Sequence, residues 1–321
     1  MARYNKISKN IQQVIIDNPK IPNEELIWIN VFDASRPEME FLRKTYNFNL
    51  GHLQASSAKT FAQRPTIDQG SGYIFLILHF PFFENGQVMA KEIDFFISHG
   101  YLVTVHNNDV NIINDFFNLC KKDGDSFLAY EYQSSAVLLY EFLEKLMLAC
   151  YPMLDQISIE LSKIEETIFT HEQKDAVTKI LALRHNILNF RKIMQNHKNI
   201  IKKLIELGST LIDDNNKRYY KTLIEHTKTI WEILENQKET INILYQTNES
   251  LLSYKMTDIM KTLTIFSVIV FPLTLLAAIF GMNVTSGMPL VEMKHGFWVI
   301  VAVMATASLF MLLFFERKKW L

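Results

Sequence analysis

The sequence predicts an α/β cytoplasmic domain followed by long stalk helices and two carboxy-terminal transmembrane helices. Three observations carry this. Two uncharged apolar runs lie near the carboxy terminus, a long stretch upstream of them has neither Gly nor Pro, and short β-branched or aromatic segments alternate with helical periodicity near the amino terminus. Residues 1–133 form the mixed part. LIWINV (Leu26 to Val31), GYIFLILHF (Gly72 to Phe80), EIDFFIS (Glu92 to Ser98) and YLVTVH (Tyr101 to His106) read as strands, with Gly, Pro and Asn between them. RPEMEFLRKTYNF (Arg36 to Phe48) and NIINDFFNLCKK (Asn111 to Lys122) space their apolar residues by three and four, as helices do.

Residues 134–259 read as all helical. From Ser134 onward, Pro152 is followed by no proline until Pro272, and Gly208 is the one glycine before Gly281. From about Asn215 a single helix can therefore run unbroken into the first apolar stretch, a length on the order of 100 Å at 1.5 Å per residue. A seam of four-three spacing runs along it through Leu223, Thr227, Ile230, Leu234, Gln237, Ile241, Leu244, Asn248 and Leu251. Such a stripe is coiled-coil-like and predicts self-association, its three polar members suiting a hydrated central passage. The alternative is an amphipathic helix that packs on its own domain.

Residues 260–321 hold the membrane region: a first span at about 260–280, a loop at 281–296, a second span at 297–315 and a tail at 316–321. LTIFSVIVFPLTLLAAIF (Leu263 to Phe280) and FWVIVAVMATASLFMLLFF (Phe297 to Phe315) contain no charge, and about 20 such residues match a hydrocarbon core of ~30 Å. The loop carries Glu292 and Lys294 as its formal charges, whereas Lys255, Lys261, Arg317, Lys318 and Lys319 flank the spans on the other side. That asymmetry predicts both termini in the cytoplasm and the short loop outside. The first 20 residues contain polar residues throughout and lack the apolar core of a secretory signal, in keeping with an inner-membrane protein whose amino terminus is not exported.

Composition excludes several classes. Lys and Arg number 33 against 34 Asp and Glu, so net charge offers no footprint for nucleic acid. The two cysteines, Cys120 and Cys150, are too isolated for a disulfide framework or a CxxC clip and read as buried thiols. Nine histidines include no HxxxH pair, and no Walker sequence or catalytic triad motif is present, so neither a zinc site of that kind nor an enzyme is predicted.

The chemistry concentrates where the first span ends. Gly281-Met282-Asn283 stands there, preceded by Phe280. A glycine that merely ends a helix explains Gly281 but not its neighbours. In this position the triplet resembles the GMN signature of the CorA family of divalent-cation transporters. Met260 to Asn283 is similar to that family's first span, including Pro-Leu-Thr at Pro272 to Thr274. The ending Lys318 to Leu321, the strands GYIFLILHFP, IDFFIS and YLVTVH, and the helix LALRHNILNFRKIM (Leu181 to Met194) are similar as well.

The resemblance implies a funnel-shaped homopentamer in the lipid membrane, each chain giving one helix to the pore and one to an outer ring. It implies Mg2+ as substrate, with Co2+ and Ni2+ accepted, and Mg2+ as a regulator that closes the channel from acidic sites between cytoplasmic domains; Asp94, Asp109, Asp115 and Asp175 give no motif by which to choose among them. A ZntB-like Zn2+ transporter is the alternative within transport, and a membrane-anchored oligomeric scaffold or sensor the alternative outside it.

The triplet suits hydrated magnesium, because a ring of Asn283 amide oxygens attracts the shell of water without stripping it, and helix-end carbonyls at Gly281 add to the ring. Along the first span, Met260, Thr264, Ser267, Phe271, Thr274 and Ala278 fall on one stripe in which hydroxyls alternate with bulky apolar groups. That stripe reads as a wetted wall with an apolar neck, or as ordinary packing through small residues. The resemblance adds Leu263 to the narrow stretch and Thr257 to the cytoplasmic mouth. Thr257 stands where the family commonly has Asn, and the loop's acid is displaced to Glu292.

Overall fold

A computed structural model describes residues 2–17, 25–57, 64–107, 110–122, 134–170, 173–208, 210–283, 287, 289–290, 293–318 and 320. The chain forms two compact units, Met1–Leu244 and Tyr245–Leu321.

The first unit is built on a sheet of seven strands: β1 (Ala2–Lys6), β2 (Ile11–Asp17), β3 (Glu25–Phe32), β4 (Thr66–Gln69), β5 (Ile74–Glu84), β6 (Gln87–Ser98) and β7 (Tyr101–His106). Their order across the sheet is β1-β2-β3-β7-β6-β5-β4, antiparallel throughout except for the β3–β7 pair. The four segments read as strands lie in β3, β5, β6 and β7. Strands β1 and β4 had no comparable signal: RYNK and the TIDQ of β4 are polar, and only pairing to neighbours makes them strands, whereas β2, whose IQQVIID buries Ile11, Val14 and Ile16, lies outside the segments read as strands. β5 and β6 meet at Asn85-Gly86, both at positive φ (50° and 78°), as a tight hairpin turn requires.

α1 (Arg36–Tyr46) and α2 (Leu50–Ser57) cover one face of the sheet. Ser35 and Glu38 close a capping box at the start of α1, and Asn47 ends it in the left-handed conformation (φ 55°), one residue before the Phe48 expected from periodicity. Beneath these helices Leu42, Phe48, Leu53, Phe75, Ile77, Phe96 and Val103 form a buried core. The opposite face holds Trp28, packed edge-on to Phe117 of α3 (Asn111–Lys122) and Phe142 of α4 (Ser135–Leu148) at 4.7 and 4.8 Å. Trp28 Nε1 donates to Thr104 Oγ1 at 3.1 Å, Thr104 donates to Asn30 Oδ1 at 2.8 Å, and His106 Nε2 lies 2.9 Å from the same oxygen. This buried polar chain satisfies its members inside an otherwise apolar layer.

The helices that follow are α5 (Cys150–Phe169), α6 (Gln173–Met194), α7 (His197–Leu207) and α8 (Asp214–Phe280). Cys150 is buried, and burial pushes its thiol up to about 12, as expected of an inert core thiol; the side chain of Cys120 lies outside the described residues.

α8 corrects the reading of its seam. Leu223, Ile230, Leu234 and Ile241 are completely buried within this one chain, with Thr227, Gln237 and Leu244 nearly so. Cross-helix bonds identify what covers them. Gln237 Nε2 donates to the Leu154 carbonyl at 2.8 Å, Tyr151 and His226 Nδ1 are 2.9 Å apart, and Tyr220 donates to the Ala136 carbonyl at 2.7 Å. Arg191 of α6 pairs with Glu235 at 2.5 Å and stacks on Trp231. The seam is therefore an intrachain packing face, as the alternative had it, because α4, α5 and α6 supply the apolar partners a second chain would otherwise provide.

His197 is wholly buried against the Phe80 ring, and among the described residues neither ring nitrogen has a hydrogen-bond partner. Burial lowers its pKa from 6.5 to about 4, assisted by His79. The unfolded chain protonates first as pH falls, so this group costs stability between about pH 6.5 and about pH 4, in total about 3 kcal/mol, and leaves stability unaffected above that range. His197→Leu should lose less of its unfolding midpoint over that acid range than the wild type in detergent-solubilised thermal melts; parallel losses would assign the acid sensitivity to other groups.

Candidate functional site

The second unit contains the end of α8 and α9 (Gly296–Arg317). Both helices are long and apolar enough to cross a membrane, and almost none of either apolar stretch is buried. Aromatic residues mark the ends of α9: Phe297 and Trp298 meet edge to face at 5.6 Å, and Phe315 stacks on Trp320 at 5.8 Å, the placement that membrane–water interfaces favour.

α8 ends at Phe280. Gly281 N–H donates to the Ala277 carbonyl at 2.9 Å, and Met282 N–H to Ile279 at 3.3 Å, so the last turn tightens before the chain leaves the helix. A Cβ on residue 281 would stand 3.1 Å from the Ala277 oxygen, a tight contact that Gly avoids. Gly281, Met282 and Asn283 are all exposed, the Asn283 amide in coil just beyond the tightened turn. Val284, Met288, Val291 and Glu292 of the loop, with Lys319 and Leu321 of the tail, lie outside the described residues.

At 100° per residue, Thr257, Met260, Leu263, Thr264, Ser267, Phe271, Thr274 and Ala278 fall within an arc of about 120° on α8. The structure thus keeps the predicted residues on one stripe. Phe271 is 72 % exposed and Met260 55 %, and Leu263, Thr257, Thr264, Thr274 and Ala278 are likewise exposed, Ser267 half-buried. Asn248, on the seam, is buried and lies about 180° from Thr257 around the helix. Seam and stripe are opposite faces, a distinction that spacing alone did not draw. The stripe also extends toward the start of α8 through Ser250 and Ser253, exposed hydroxyl residues outside the predicted set. Their signal was present as hydroxyls recurring at three- and four-residue intervals.

Every hydroxyl of the predicted stripe is oriented in the same way. Thr257 donates to the Ser253 carbonyl at 2.9 Å, Thr264 to Met260 at 2.7 Å, Ser267 to Leu263 at 2.9 Å and Thr274 to Val270 at 2.9 Å. With its proton committed to the backbone, each oxygen presents lone pairs outward. The stripe is consequently a ladder of acceptors, suited to the hydrogens of a cation's water shell. Asp94, one of the acids left open, is buried on β6 with Oδ1 unpartnered among the described residues, and burial next to Glu92 raises its carboxyl well above the usual range.

A family model described as CorA-like Mg2+ transporter protein matches residues 23–318. The cobalt/magnesium transport protein CorA of Thermotoga maritima is 24% identical over 303 residues, covering 92% of this chain and 83% of that protein. The complete structure of the CorA magnesium transporter from Methanocaldococcus jannaschii superposes with a TM-score of 0.85 at 21% identity, over 98% of this chain and 100% of that one. The ZntB cytoplasmic domain from Vibrio parahaemolyticus aligns less well, with a TM-score of 0.55 at 16% identity over 71% of this chain and 88% of that one.

Single cysteines test the stripe without reference to activity. In membranes, Thr264→Cys, Ser267→Cys and Thr274→Cys should react with a water-soluble thiol reagent, and Ile269→Cys and Leu276→Cys, on the other side of the helix, should not. Equal protection of both sets would make the stripe a dry packing face.

Proposed function

Because the chain belongs to the CorA family of Mg2+ transporter proteins, we propose that it conducts hydrated Mg2+ across the inner membrane through a homopentameric pore lined by the Thr257–Ala278 stripe of α8. The observation that carries the reading is the acceptor ladder: four hydroxyls whose protons are all held by backbone carbonyls. Mg2+ dehydrates reluctantly and travels with its waters, whose hydrogens point outward. A wall of acceptors can replace the second shell of bulk water, and neutral oxygens let the ion go again.

In this reading the Asn283 amide oxygens, one from each chain, hold the hydrated ion at the outer end, Gly281 lets the helix terminate and frees its last carbonyls, and Met282 flanks the ring. Met260, Leu263 and Phe271 supply an apolar neck that closes by dewetting. Co2+ and Ni2+ share the size and octahedral hydration that such a filter reads. Both termini face the cytoplasm, in line with Lys255, Lys261, Arg317 and Lys318 flanking the spans. Five copies supply what the single chain lacks, a cover for spans that are almost wholly unburied. Cytoplasmic Mg2+ acts as the regulator, and the protein moves ions rather than catalysing a reaction.

Asn283→Ala should lower Mg2+ influx into liposomes by at least about tenfold, the equivalent of one charge-assisted hydrogen bond, with an unchanged size-exclusion profile. Undiminished flux through a well-assembled variant would remove Asn283 from the ion path, and Zn2+ outcompeting Mg2+ in the wild type would favour a zinc transporter. Phe271→Ala should leak: at high internal Mg2+ its residual flux should exceed that of the wild type, and equal residual fluxes would place Phe271 on a lipid-facing or packing side.

A further inference from the structure

α5 carries the same polar station twice, one helical turn apart, and we propose that α8 uses both: it slides one turn along α5, and Gln237 pins it at each stop. At the station occupied here, Gln237 Nε2 donates to the Leu154 carbonyl at 2.8 Å and to Ser158 Oγ at 3.0 Å, and Ser158 Oγ itself donates to the Leu154 carbonyl at 3.2 Å. One turn further, Ser162 Oγ donates to the Ser158 carbonyl at 3.3 Å, the same carbonyl–hydroxyl pair displaced by about 6 Å. Gln237 is buried and its Oε1 has no partner among the described residues, so the present register leaves the amide half-satisfied.

A second cross-helix contact has its alternative in the same direction. Tyr151 shares a hydrogen bond with His226 Nδ1 at 2.9 Å, and one turn along α5 from Tyr151 stands the exposed carboxylate of Asp155, an acceptor for a ring N–H. Partner numbers rise together along the two chains of contacts, from Ala136 with Tyr220, through Tyr151 with His226, to Leu154 and Ser158 with Gln237, so α4–α5 and α8 run parallel and both contacts step the same way. α5 buries Leu154, Ile157, Leu161, Ile164 and Ile168, a branched aliphatic at every turn. A one-turn step replaces apolar contact with apolar contact, which makes such an interface bistable rather than continuously deformable. The step breaks the Tyr220–Ala136 bond and separates Arg191 from Glu235, and these two contacts hold the register observed here. α8 continues unbroken to Phe280, so an axial step of the helix is available to gate the stripe; that consequence and the dependence of the step on internal Mg2+ rest on the function proposed above.

The test uses the full chain in liposomes, in a Cys120→Ser, Cys150→Ala background, with a short bis-thiosulfonate cross-linker and mass spectrometry of intrachain products. His226→Cys is combined with Tyr151→Cys for the observed register or with Asp155→Cys for the shifted one, leaving Gln237 intact. The first pair should cross-link at one level of internal Mg2+ and the second at the other, and the pairs Gln237→Cys/Ser158→Cys and Gln237→Cys/Ser162→Cys should follow suit. Shifted pairs that stay unlinked at every Mg2+ level while the observed pairs link would overturn the step. Adding Gln237→Leu should make both His226→Cys pairs link at both levels, and switching that survives it would overturn the pin. If the pairs switch in liposomes that pass no Mg2+, the step stands and the proposed function falls.

Discussion

Gln237 reaches from α8 to the Leu154 carbonyl in the middle of a face whose other members, Leu223, Ile230, Leu234 and Ile241, are completely buried. That packing decides which side of the helix is left over. A helix that buries one stripe against its own chain has the opposite stripe available for water, ions or other copies, and no rearrangement of side chains can exchange the two without rotating the backbone. From Ser250 to Ala278 the side of the helix opposite Asn248 carries the hydroxyls of the stripe. The polar members of the seam, which suggested a wet passage, are satisfied within the protein in the case of Thr227, which donates to the Ile224 carbonyl, and of the Gln237 amide nitrogen.

A second constraint is local: a Ser or Thr hydroxyl inside a helix bonds the carbonyl four residues back, as Ser158 and Thr240 do outside the apolar stretches. Thr306 of α9 makes the same bond to Ala302 at 2.8 Å, so the bond by itself does not mark a pore. What distinguishes α8 is recurrence: its hydroxyls repeat on one face over more than two turns and alternate with Met260, Leu263 and Phe271. Recurrence on a face converts a local requirement into a surface with a definite polarity, all acceptor.

The sheet illustrates how unevenly a fold is written into a chain. Central strands β5, β6 and β7 are buried on one or both faces, and their apolar runs announced them. β1 and β4 are the two edges of the sheet, where solvent tolerates polar residues and hydrogen bonding to a neighbour supplies what composition does not. The Asn85-Gly86 turn was legible in principle, since positive φ at two successive positions selects those residue types. Likewise the buried Trp28–Thr104–Asn30–His106 chain joins residues more than seventy positions apart, beyond the reach of any local pattern.

The sequence by itself determined the properties that depend on short range. It marked two apolar stretches, an unbroken helix leading into the first, the Gly281-Met282-Asn283 exit and the hydroxyl stripe, because hydrocarbon thickness, helix periodicity and the steric freedom of glycine act on consecutive residues. The tertiary structure alone decided that the Leu223–Leu244 seam is covered by α4, α5 and α6 rather than by another chain. A four-three repeat states that a face must be buried but not against what, and only the folded arrangement of helices far apart in sequence supplies the partner.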